Sequence, residues 1–118
     1  MSKHYSVESL NEIAGGDEEF MAVVAKTFLE EIPPDLRAME EAIHNDNKEL
    51  AYQFAHKMKP NLEMFGIDVV KDITSIESWT RTSKNKIAVT ANLDKIITAV
   101  KAVLGELKDD FNLSLIHI

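Results

Sequence analysis

Apolar positions along this chain recur at steps of three and four, and no stretch of useful length alternates in the two-residue rhythm of a strand. A first short helix is predicted with Ser6 as N-cap, and Tyr5 and Leu10 are spaced as a hydrophobic staple across its start. It carries Leu10 and Ile13 and stops at the breaker pair Gly15-Gly16. A second helix opens at Asp17, where Glu18 and Glu19 suit the positive end of the helix dipole. Its apolar stripe is predicted to run through Phe20, Val24, Phe28, Ile32, Leu36, Met39 and Ile43. Pro33-Pro34 falls inside that stripe. Proline removes backbone donors and crowds the preceding turn, so one long helix bent at the prolines is expected, ending at "HNDN".

Asp46 and Glu49 have the spacing of a capping box and are predicted to start the third helix. Ala51, Ala55, Met58, Leu62 and Phe65 give it one apolar face, and Gly66 is a natural stop. A fourth helix is predicted from about Asp68, with Val69, Ile73, Ile76 and Trp79 inward, before the loop "TSKNK". The last helix carries Val89, Leu93, Ile96, Val100, Val103 and Leu107 and ends near Asp110. Four substantial amphipathic helices with short connections imply an all-α fold. The expected architecture is an antiparallel up-and-down four-helix bundle, with the short N-terminal helix lying across one end.

The bundle is expected to occupy residues 1–112. The tail "LSLIHI", residues 113–118, is apolar, uncapped and follows a finished helix. It matches one reading frame of the transposon-end adapter CTGTCTCTTATACACATC used in short-read library preparation. The tail therefore reads as a sequencing scar outside the native domain.

Composition narrows the function classes. A chain of 118 residues suits one domain with one core. It has no cysteine, which excludes disulfides, thiolate metal sites and a cysteine nucleophile. The formal net charge of −7 disfavours nucleic-acid binding. The terminus "MSKHYSVESL" lacks the apolar core of a signal peptide, and the longest apolar run, "FMAVVA", is too short to span a bilayer. A soluble cytoplasmic monomer with no membrane partner is expected, and Met1 with its clean start suggests a separate small protein.

The candidate chemistry lies in "AHKMKPNLEMFG", residues 55–66. With about 100° of rotation per residue, His56 falls roughly 140° from the apolar face of the third helix. It should face solvent, on the same side as Tyr52, Gln53, Lys59, Pro60 and Glu63. A neutral imidazole nitrogen is a good nucleophile near neutral pH. A phosphoryl group placed on it would carry anionic oxygens, and Lys59 is a surface neighbour able to meet them. Lys57 lies further around the helix. No glycine-rich phosphate loop is present, so the chain has no evident nucleotide site.

The run Ala55-His56-x-Met58-Lys59, with Gly66 ten residues after the histidine, resembles the signature of histidine-containing phosphotransfer (HPt) domains. The segment "GGDEEFMAVVAKTFLEEIPPDL" is similar to that family's long second helix, and the order of helices matches over residues 5 to about 110. The resemblance implies a phosphorelay module in two-component signalling. His56 would accept a phosphoryl group from one receiver-domain aspartate and donate it to another, with Lys59 stabilising its charge. Tyr52, Gln53, Lys57, Pro60 and Glu63 would contact the partner. The partners implied are response-regulator receiver domains and a hybrid histidine kinase. The chain would hold no cofactor or metal of its own and have no autonomous kinase activity, while the receiver supplies magnesium. Pro60 departs from the pattern, which usually has glycine there, and bears on the geometry of docking.

Three other readings compete. A histidine-kinase dimerisation domain would place an acidic residue after the histidine, where this chain has Lys57. A metal-carboxylate bundle would need more than the single pair Glu41-x-x-His44, and Gln53 is a poor ligand three residues before His56. A non-catalytic helical adaptor, binding a signalling partner without phosphorylation, would leave His56 incidental. His4 falls in a terminus expected to be mobile and has no chemistry assigned.

Overall fold

A computed structural model of the chain describes residues 4–83 and 85–111, and the tail at 113–118 lies outside them. Every regular element among the described residues is helical: α1 Val7–Ile13, α2 Glu18–His44, α3 Lys48–Met64, α4 Val70–Glu77 and α5 Lys86–Asp110, with a 3₁₀ turn at Ser78–Arg81 after α4. α2 packs on α3, α3 on α4, α4 on α5, and α5 returns to α2, while α1 lies against α2. None of these helices is long and apolar enough to cross a membrane.

Local chemistry sets most of the boundaries. Ser6 caps α1 by accepting from the Ser9 amide at 3.1 Å, and Asp17 caps α2 by accepting from Glu19 and Phe20. Asn85 caps α5 by accepting from the Ala88 amide at 2.8 Å. The first three helices end in the same way, with the chain turning into left-handed backbone just past the last turn. Gly15, Asp46 and Gly66 take those positions with φ of 62°, 55° and 64°. At each end two amides turn back onto the last free carbonyls. After α3, Gly66 donates to Glu63 and Ile67 to Leu62.

That geometry corrects the expected start of α3. Asp46 is not its cap, because its positive φ commits it to finishing α2. Asn47 caps α3 instead, accepting from the Leu50 amide at 3.1 Å. A second correction concerns α2, where Phe20 is 46% exposed and does not lead the buried stripe. Met21, Ala25, Phe28, Leu29 and Ile32 form the buried face of its first half. Pro33 and Pro34 do not interrupt α2. α4 begins at Val70, later than predicted, and is only eight residues long.

The buried apolar side chains form a single cluster reaching from Tyr5 to Leu107. Val69, Ile73, Ile76 and Trp79 are all inside it, as is the whole stripe predicted for α5. Lys48 lies over the Trp79 ring, 5.4 Å from its centre. Residues 4 and 5 reach α5: His4 pairs with Glu106, and the Tyr5 hydroxyl donates to Asp110 at 2.7 Å.

Candidate functional site

α3 places His56 because its two flanking core residues fix the helix face. Ala55 and Met58 are fully buried, which turns the intervening positions outward. The His56 side chain is 68% exposed. Its Nδ1 lies 2.9 Å from Oε2 of Glu77, the last residue of α4. The other oxygen of the same carboxylate, Oε1, accepts from Lys59 Nζ at 3.1 Å. Glu77 is itself only about 10% exposed at its side chain, so its charge is nearly buried and satisfied by two partners from α3. Below them the α3–α4 contact is made of core residues, among them Met58, Ile73 and Ile76.

This arrangement fixes one proton of the ring. An ionised carboxylate can only accept, so the hydrogen bond puts a proton on Nδ1. In the neutral imidazole the lone pair is then on Nε2, which has no hydrogen-bond partner among the described residues. Tyr52, one turn earlier, lies parallel to the ring, with centroids 5.6 Å apart and planes 9° apart. The result is an exposed imidazole whose Nε2 has no protein partner among the described residues, sharing one carboxylate with a half-buried ammonium.

Lys57 points away from this group. Its Nζ donates to Oδ1 of Asp35 on α2 at 3.0 Å, and Asp35 is buried. Gln53, Pro60 and Glu63 are exposed on α3 around His56. Pro60 sits within the continuous helix and supplies no amide to the His56 carbonyl. Gly66 has a tertiary task as well as a local one. A Cβ there would come 2.6 Å from the Ser6 Cβ, where the Ser6 amide donates to the Phe65 carbonyl at 2.7 Å. The glycine therefore ends α3 and lets the start of α1 close against it.

Glu77 is the member of the group that sequence reasoning missed. A signal was present: it stands four residues after Ile73 and one after Ile76, where the α4 stripe would accommodate an apolar side chain. A carboxylate at a core-periodic position needs a partner, and only the packing of α4 on α3 identifies it as His56 and Lys59.

Among the described residues no three His, Asp or Glu side chains gather in a way that could hold a metal ion. His44, from the pair Glu41-x-x-His44, ends α2, and its carbonyl accepts from Lys86. Comparisons with protein-family models, with curated proteins and with solved structures return no match.

Proposed function

We propose that the chain is a histidine phosphotransfer module, an antiparallel four-helix bundle in which His56 relays a phosphoryl group between receiver-domain aspartates. The observation that carries the reading is the exposed imidazole with Nδ1 held by Glu77 and Nε2 left open, one turn from Lys59. In the forward step the Nε2 lone pair forms a bond to phosphorus. The bond from phosphorus to the aspartyl oxygen breaks, and the receiver's carboxylate leaves with the electron pair. The ring gains positive charge as this happens, and Glu77, facing Nδ1–H, stabilises that charge. Lys59, whose Nζ bonds the same Glu77 carboxylate, would turn its ammonium to the phosphoryl oxygens. The reverse step returns the group to a second receiver. Magnesium belongs to the receiver in this scheme, and the module works as a cytoplasmic monomer.

The test is phosphoryl labelling. With ATP and magnesium alone the protein should take up no phosphate. With an aspartyl-phosphorylated receiver from the same genome it should gain an acid-labile, alkali-stable label of the kind a nitrogen–phosphorus bond gives. His56→Gln should abolish the label while leaving the circular dichroism spectrum unchanged, and substitutions at His4 and His44 should not affect it. If a panel of receivers leaves His56 unlabelled, or if the His56→Gln protein still labels, a non-catalytic adaptor replaces this reading.

A further inference from the structure

Tyr52 is an aromatic residue that the core does not use. It lies half-buried on α3 and is absent from the buried cluster and from the apolar side chains packed against it. Its ring contact among the described residues is the parallel stack on His56. We infer that Tyr52 is a positioning residue for His56, fixing the plane of the imidazole and favouring the charged ring formed during phosphoryl transfer. This rests on the reading of His56 as the phosphoryl acceptor.

Two constraints are needed to aim Nε2. The Glu77 bond holds the Nδ1 edge but leaves the ring able to pivot about the line from nitrogen to oxygen. A flat stack with only 9° between the planes opposes that pivot. Together they hold the plane of the ring, and with it the in-plane lone pair on Nε2. The spacing allows this because residues four apart on a helix are surface neighbours.

The second effect is electrostatic. Bond formation from Nε2 to phosphorus converts a neutral imidazole bearing Nδ1–H into a cationic ring. The tyrosine π face attracts a cation more strongly than a neutral ring. The stack therefore tightens as the reaction proceeds, and an interaction that strengthens toward the transition state raises the rate rather than merely the affinity.

The experiment separates positioning from docking by using a donor with no protein surface. Phosphoramidate transfers its phosphoryl group to imidazole nitrogen: the new Nε2–P bond forms, the P–N bond of the donor breaks, and ammonia leaves after protonation. Wild type, Tyr52→Phe and Tyr52→Ala are compared with phosphoramidate and with a phosphorylated receiver, and the His56 ring protons are followed by NMR. Tyr52→Ala should lower kcat with phosphoramidate roughly three- to tenfold, with KM unchanged, and should remove the ring-current shift of the His56 protons. Tyr52→Phe should recover both the shift and most of the rate. An unchanged phosphoramidate rate in Tyr52→Ala overturns the inference and leaves His56 its role. A loss confined to KM for the receiver also overturns it, because Tyr52 is then a partner contact. Wild type silent toward phosphoramidate and every receiver defeats the phosphotransfer reading, and with it the catalytic part of this one.

Discussion

Glu77 divides its two oxygens between an imidazole and an ammonium, and this decides what each neighbouring substitution should do. Glu77→Gln keeps the volume but lets the side chain accept or donate, so Nδ1 is no longer obliged to carry the proton. The expected result is slower labelling of His56, by about 10- to 100-fold if one charge-assisted contact is lost from the transition state. Long-range nitrogen–proton NMR correlations should show the Nδ1–H tautomer losing population at the same time. Lys59→Ala should slow labelling over a similar range, for the different reason that the phosphoryl oxygens lose a cation. It should leave the tautomer unchanged, because Nδ1 still faces a carboxylate. The pair of variants separates control of the ring from stabilisation of the anion, and quenched-flow labelling with the NMR measurement reads both. Lys57 does not take part in this comparison, since Asp35 on another helix holds it.

At the scale of elements, the helix ends are where sequence periodicity and structure part company. Stripes that run uninterrupted, as in α5, are legible because every third or fourth residue is apolar and nothing competes. The start of α3 was misread because Asp46-x-x-Glu49 imitates a capping box, while the turn that closes α2 claims Asp46 first. Phe20 was misread because Met21 reaches the same interior from the adjacent position. His56 and Lys59 could be put on an outer face from rotation alone. Glu77 could not be joined to them, because that needs the register of α4 against α3, which no local spacing encodes. Gly66 lies on both sides of this divide. Its role as a stop was readable, whereas its contact with Ser6 was not. Gly66→Ala should therefore cost more than a left-handed alanine alone, which is about 1–2 kcal/mol. Urea unfolding should show a lower midpoint with little change in slope, and amide exchange in α1 should accelerate more than in α5.

Across the whole molecule, residues 4 and 5 are fastened to the end of α5, which joins the two extremes of the described chain. The Tyr5 ring is buried and its hydroxyl donates to Asp110, 105 residues away. Burial, followed by the hydrogen bond to Asp110 and the nearby charges of Asp110 and Glu106, pushes the Tyr5 phenol well above its ordinary range. The folded protein thus keeps a proton that the unfolded chain releases near pH 10. A group whose folded value is raised contributes fully below the unfolded value, and its contribution is lost as pH climbs toward the folded one. The melting temperature of the wild-type protein should consequently fall between about pH 9 and 11.5 more steeply than that of Tyr5→Phe. Tyr5→Phe should be the less stable protein at neutral pH, where it lacks the bond to Asp110, and the two curves should converge as the solution becomes alkaline. Coincident curves over the whole range would mean that the bond from the Tyr5 hydroxyl to Asp110 contributes nothing to stability. Phosphoryl labelling of His56 should be equal in the two proteins at neutral pH, since the Tyr5 hydroxyl is spent on Asp110 of α5 and its ring faces Phe65.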